Sequence, residues 1–142
     1  MEIELTDFQG CKIALICGDS VLTILRDDKP SIPWPNMWEL SGGGREGDES
    51  PFECAAREVY EELGIALTED CLIWSKVYPS MLFEGRQSVF MVGQLSQEQF
   101  DNITFGDEGQ TYKLMSIEEF LNSKQAVPQL QGRLRDYLEE EK

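Results

Sequence analysis

Residues 43–65 read GGREGDESPFECAAREVYEELGI, and the local signals in this stretch define a helix with two functional faces. Ser50 is a suitable N-cap, Pro51 fits the first helical position, and Glu53 stands where a capping box closes. Gly64 supplies the stop. Between those limits Phe52, Ala55, Ala56, Val59 and Leu63 recur at i, i+3, i+4, i+7 and i+11, which predicts an apolar stripe packed on a sheet. Glu58, Glu61 and Glu62 fall on a neighbouring face with Cβ atoms about 5–6 Å apart. Three carboxylates so crowded repel one another unless positive charge lies among them. Arg57, four residues before Glu61 and four after Glu53, is placed to clamp one carboxylate while the others stay free.

Hard oxygen ligands of this kind suit Mg²⁺ or Mn²⁺, which keep some waters and take substrate phosphates in the remaining positions. Gly42-Gly43-Gly44 lets the backbone come close to such an ion and offer a carbonyl. A lone Glu-Glu pair is usually a solvated helix face. Here seven fixed letters, Gly43, Glu49, Arg57, Glu58, Glu61, Glu62 and Gly64, recur by chance on the order of once in 10⁷ starting positions at typical frequencies. The spacing therefore favours a site.

The composition limits what such a site handles. Twenty-seven acidic against twelve basic residues give a net charge of −15, so the average field repels long nucleic acid, and no basic stripe opposes it. A small phosphorylated substrate needs local cations to reverse that sign. Four cysteines, Cys11, Cys17, Cys54 and Cys71, form no C-x-x-C pair, and histidine is absent. Zinc and Ser-His or Cys-His nucleophiles are disfavoured, which leaves Cys54 and Ser41 poor candidates for a covalent intermediate. The cysteines read as small hydrophobes in a reducing compartment, with no disulfide expected. The start lacks a basic leader, and the apolar run Ile13 to Cys17 is too short to span a bilayer. These features predict a soluble, cytoplasmic protein without a membrane partner.

At 142 residues the chain fits one domain, 1–142, able to bury roughly 68–70% of its unfolded surface. No repeat or linker divides it. Lys12 to Cys17 and Val21 to Arg26 read as strands joined by a hairpin turn at Gly18-Asp19-Ser20. Asp27 to Met37, with Pro30, Pro33 and Pro35, reads as an ordered irregular loop. Cys71 to Tyr78 and Gln87 to Leu95 read as strands flanking a loop at Pro79 to Arg86, and Thr111 to Met115 as a shorter one. Ser116 and Glu119 suggest a capped helix, and Pro128 opens another whose stripe is Leu130, Leu134, Tyr137 and Leu138. Glu139 to Glu141 read as a solvated end. Strands interleaved with helices predict an α/β or α+β sandwich with a mixed sheet.

With these residues set out, Gly43 to Ile65 resembles the complete Nudix box, the 23-residue signature of Nudix hydrolases, and the chain looks like a MutT-type member. Trp38-Glu39-Leu40-Ser41-Gly42-Gly43 resembles the strand entering the box, and Gly106-Asp107-Glu108-Gly109-Gln110 a later loop of MutT-type members. The resemblance implies an α/β/α sandwich. It implies Mg²⁺-assisted water attack at phosphorus on a nucleoside diphosphate linked to another moiety. A nucleoside triphosphate cut to monophosphate and pyrophosphate is the favoured substrate; ADP-ribose, dinucleotides and sugar nucleotides stay open, as does a non-catalytic nucleotide- or metal-binding module.

By the same resemblance Glu58, Glu61 and Glu62 are metal ligands, Gly42 offers its carbonyl, Arg57 orients a glutamate and Glu49 supports the loop. Glu108 is the general base or completes the metal shell, with a box glutamate as the alternative. Arg26 is placed to contact phosphate, and Trp34, Trp38, Tyr78 or Phe83 to stack a base, Trp34 and Phe83 foremost. Ser41 stands where many members carry proline. Ala126-Val127-Pro128-Gln129 lacks the base-reading asparagine of MutT-type enzymes, which puts a strict 8-oxo-guanine preference in doubt. Family members often dimerise, and a monomer or a homodimer is expected.

Overall fold

The computed structural model describes residues 7–141. The first six residues, read above for a leader, lie outside that range. Strand β1 (Gly10–Cys17) turns at Gly18-Asp19 into β2 (Ser20–Leu25). Ser20 belongs to the strand rather than the turn, and it pairs with Cys17. Gly18 takes a φ of 62°, the left-handed conformation that a two-residue hairpin demands and glycine permits. The irregular loop follows as expected, and the chain re-enters as β3 (Trp38–Glu39) and β4 (Ser41–Gly44).

These two short strands explain the shape of the sheet. β3 pairs antiparallel with β2 at Ile24↔Glu39, whereas β4 pairs antiparallel with β1 at Lys12↔Gly42. Residues 38–44 thus enter between β1 and β2, which pair directly only near their turn. On its other edge β1 lies parallel to β6 (Gln87–Gln94), and β6 pairs antiparallel with β5 (Leu72–Pro79). β7 (Thr111–Ser116) closes the far edge of β2. The result is one mixed seven-stranded sheet.

Period-two alternation sends each strand's side chains to two cores. Cys11, Ile13, Leu15, Val89 and Met91 meet Ala55, Val59 and Leu63 of α1 (Pro51–Leu63). Ala14, Phe90 and Val92 meet Phe120 of α3 (Ile117–Asn122) and Leu130, Leu134 and Tyr137 of α4 (Pro128–Glu140). Helices therefore cover both faces, giving the α/β/α sandwich. A short α2 (Gln97–Asp101) was not foreseen, although Ser96 and Gln99 form its complete capping box. At α3 only half of the expected box forms. Ser116 accepts from the Glu119 amide, while the Glu119 side chain faces Lys113 Nζ at 3.6 Å. Glu140 is not merely solvated, because it accepts a 3.1 Å bond from the Trp74 indole. Among the described residues no helix is long and apolar enough to cross a membrane.

Candidate active site

Helix α1 starts and stops where its sequence signals lie. Ser50 Oγ accepts from the Glu53 amide at 3.1 Å, the Ser50 amide donates to Glu53 Oε1 at 2.8 Å, and Gly64 caps the C-terminus at a φ of 69°. Because Glu53 is spent on the cap, Arg57 turns the other way and holds more than one carboxylate. Its Nε and Nη2 donate to Glu49 Oε2 and Oε1 at 2.6 and 3.1 Å. Nη2 also donates to the Gly44 carbonyl at 2.8 Å. Nη1 reaches Glu58 Oε2 at 3.0 Å and Glu61 Oε1 at 3.2 Å. One planar fork thereby ties the loop 44–49 to the helix. The Arg57 hydrogen bond holds the Glu49 carboxyl below its ordinary range.

Glu62 lies on the turn nearest the sheet. Ser41 Oγ donates to its Oε1 at 2.5 Å and the Gly42 amide at 3.2 Å. Burial nevertheless pushes its carboxyl up to about 7, outweighing Lys12 and those two bonds. Burial also raises Glu58, against the pull of Arg57. Ser41 thus supplies a donor to the partly buried acid. Beside it Lys12 Nζ meets Glu39 Oε1 at 2.7 Å, and Arg26 Nη1 meets the same oxygen at 3.0 Å. Burial alone would lower the Lys12 ammonium, but Glu39 and Glu62 together raise it.

Glycines make the floor. A Cβ on Gly43 would sit 2.7 Å from the Glu58 carboxylate, and one on Gly10 would sit 2.5 Å from the Gly43 carbonyl oxygen. Gly42 combines a φ of 143° with a backbone approach that would put a Cβ 2.2 Å from the Cys11 carbonyl oxygen. Beneath this floor the buried Cys11 and Cys54 thiols touch, Sγ to Sγ 3.3 Å.

The floor belongs to a cleft of 350 Å³ that brings together Gly42, Glu58, Glu62, Glu108, Arg26 and Trp34. Glu108 is carried there by a loop anchored at both ends. The Gly106 amide donates to the Glu62 carbonyl at 2.9 Å, and Gln110 Nε2 donates to the Arg26 carbonyl at 2.7 Å. Trp34 takes a φ of 53°, an uncommon conformation for a bulky residue. Arg26 donates from Nε to the Pro33 carbonyl at 2.9 Å. Other expected residues do not line it, Arg57, Trp38 and Tyr78 among them. Glu61 has a side chain 55% exposed and stays with Arg57, and Phe83, 52% exposed, borders a separate depression with Arg45 and Arg86. Among the described residues no three acids are grouped closely enough to hold a metal ion with their side chains as they stand.

Three cleft residues, Lys12, Glu39 and Arg133, were not singled out from the sequence. Arg133 left a readable signal, because it occupies a position in the stripe of Leu130, Leu134 and Tyr137, where a cation is out of place. The Lys12–Glu39 pair depends on register between strands and left none.

Residues 12–137 match the NUDIX domain, and with this sheet, helix and glutamate arrangement in place the chain belongs to the Nudix hydrolase family. Among curated relatives, the m7GpppN-mRNA hydrolase of Danio rerio is 32% identical over 82 residues, covering 54% of this chain and 27% of that enzyme. The match thus spans well under half of the relative's own length. The MutT protein of Methanosarcina mazei has the same fold, with a TM-score of 0.74 at 20% identity over 96% of this chain and 97% of that one. A bifunctional NMN adenylyltransferase/ADP ribose pyrophosphatase of Francisella tularensis, complexed with AMP and a Mn ion, superposes with a TM-score of 0.67 at 23% identity. It covers 97% of this chain and 42% of that one.

Proposed function

We propose that this protein is a divalent-metal-dependent hydrolase that cleaves a nucleoside diphosphate linked to another moiety, with a nucleoside triphosphate, cut to monophosphate and pyrophosphate, as the preferred substrate. One observation carries the reading: two partly buried carboxylates, Glu58 and Glu62, face the same glycine-floored cleft as Glu108. In both acids burial outweighs the nearby cation, Arg57 at Glu58 and Lys12 at Glu62, and a hard dication is the group whose chemistry suits them. The donor set fits, since it is oxygen throughout: the carboxylates of Glu58, Glu61, Glu62 and Glu108 and the carbonyl of Gly42. Glu58 and Glu61 each meet Arg57 Nη1 through one oxygen, and loading turns the other oxygen to the ion. The Mn ion recorded with the Francisella neighbour supports a dication of this kind. When bound, Mg²⁺ or Mn²⁺ would neutralise phosphate charge and lower the pKa of coordinated water.

The chain's own residues do the rest. Glu108 accepts the proton of the attacking water, a box glutamate being the alternative. Arg57, fixed by Glu49 and the Gly44 carbonyl, orients Glu58 and Glu61. Arg26, steadied by Glu39 and Pro33, turns its remaining donors to a phosphate oxygen, and Trp34 offers a face to the base. Phe83 takes part only if the loop 80–86 folds over the cleft. Residues 1–142 act in this reading as one cytoplasmic domain on a small-molecule substrate.

A panel of nucleoside triphosphates, ADP-ribose, dinucleotides and sugar nucleotides, incubated with Mg²⁺ or with chelator, tests the proposal by the products released. Turnover on the triphosphates that disappears with chelator is expected. A folded protein that hydrolyses none of them with metal present is a binding module, and the reading fails.

A further inference from the structure

The cleft holds one buried cation that, among the described residues, pairs with no anion. Arg133 of α4 is 7% exposed and lines the cleft together with Glu58 and Glu62. Its Nη2 donates to the Pro79 carbonyl at 2.8 Å and its Nη1 to Ser88 Oγ at 3.3 Å, while the guanidinium lies 4.7 Å from the centre of the Tyr78 ring. All three partners are neutral. The nearby carboxylate of Asp136 is turned to the Tyr78 hydroxyl at 2.7 Å, and among the described residues no ion pair includes Arg133. The other cations of the cleft, Lys12 and Arg26, are both paired with Glu39.

A desolvated guanidinium with neutral partners is costly, and an anion supplied from outside completes it. Its surroundings strengthen such a contact, because Met81, Leu82, Val127 and Leu130 line the same cleft and keep the local dielectric low. Sheet register fixes where that anion would sit. Gly44 pairs with Gly10, and Gly10 with Ser88. Ser88 therefore lies two strands from Gly44, roughly 10 Å across the sheet at the usual strand spacing. The Glu58 carboxylate is packed against Gly43, next to Gly44. Less the contacts that a ligand makes at each end, that backbone spacing lies within the span of a polyphosphate chain.

We propose that Arg133 is a specificity residue that binds a phosphate group of the substrate outside the diphosphate that is cleaved. The inference rests on the reading of this cleft as the substrate site, and it narrows the substrate to nucleotides with a phosphate outside that diphosphate, the preferred nucleoside triphosphate among them and ADP-ribose not. Arg133 touches no reacting atom in this scheme, so its loss raises KM more than it lowers kcat.

The test uses inorganic phosphate as probe, with chelator present so that bound metal plays no part. Phosphate should raise the melting temperature of the wild-type protein and leave Arg133→Gln unmoved. Arg133→Lys, which keeps the charge but loses the fork, should need roughly tenfold more phosphate for the same shift; it also answers the question if the glutamine variant does not fold. Glu62→Gln should keep the wild-type phosphate response. Equal phosphate shifts in wild type and both Arg133 variants would overturn the proposal. So would an Arg133-dependent shift given by guanosine and not by phosphate, since a base edge would then be the ligand. Phosphate binding at Arg133 without hydrolysis of any nucleotide would leave this inference standing and remove the proposed activity; hydrolysis without phosphate binding would do the reverse.

Discussion

Ser41 and Gly42 aim two donors at one oxygen of Glu62, so this partly buried acid has a defined direction even without a metal ion. Replacement by glutamine keeps the size and removes the negative charge. Glu62→Gln is expected to lose a hundredfold or more in turnover, the scale of several kcal/mol of charge stabilisation, with an unchanged circular-dichroism spectrum. Unchanged kinetics would remove Glu62 from the chemistry. Gly43→Ala probes the neighbouring acid. Its Cβ would sit 2.7 Å from the end of the Glu58 side chain, which rotates aside more easily than backbone. The expected result is about tenfold slower turnover, roughly 1.4 kcal/mol of barrier, and a melting temperature only a few degrees lower, since about 1 kcal/mol of stability is at stake. If turnover is unaffected, the direction of Glu58 does not matter. At this scale the spacing of Arg57, Glu58, Glu61 and Glu62 was legible because a helix converts sequence distance into spatial distance. The Lys12–Glu39–Arg26 set was not, because strand pairing joins residues that no local period relates.

The box behaves as a loop and helix held by one arginine. Glu49 is its inward anchor, with a side chain 17% exposed and a carboxyl held below its ordinary value by Arg57. An acid lowered on folding adds stability that is fully present above the unfolded value of 4.5 and is lost as pH falls through the lower folded value. Glu49→Gln should therefore lower stability at pH 7 by about 1.5–3 kcal/mol, the usual worth of charged hydrogen bonds. The deficit should shrink as both proteins are melted at successively lower pH below 4.5. A deficit constant across that range would mean that the charge of Glu49 contributes nothing. Helix α1 was legible at both ends because its cap residues are chemically specific. β4 was legible only as a resemblance, since Ser41 to Gly44 has almost no side chains and forms a strand because β1 lies beside it. The missed α2 had its signal in Ser96 and Gln99 but is only five residues long, below the length at which period can be read.

Across the whole molecule, a net charge of −15 sets like charges against one another, and the cleft adds Glu58, Glu62 and Glu108 to that burden. Millimolar Mg²⁺ should raise the melting temperature through preferential binding to the folded state, and Glu62→Gln should blunt the rise. A flat titration in the wild-type protein would argue against a dication at these acids. The layered architecture was legible because strand-like runs interleave with capped, amphipathic helices. The divergence of β1 from β2 was not, since it follows from residues 38–44 entering between them. That arrangement has a consequence for biosynthesis. β1 is completed by residue 17, but its parallel neighbour begins only at Gln87. A nascent chain leaving the ribosome therefore carries one bare β1 edge until Gln94 has emerged, and unpaired strand edges of this kind recruit other chains. Stalled or truncated products ending before β6 should be the species that aggregate and call on chaperones, while the acidic helix is already formed.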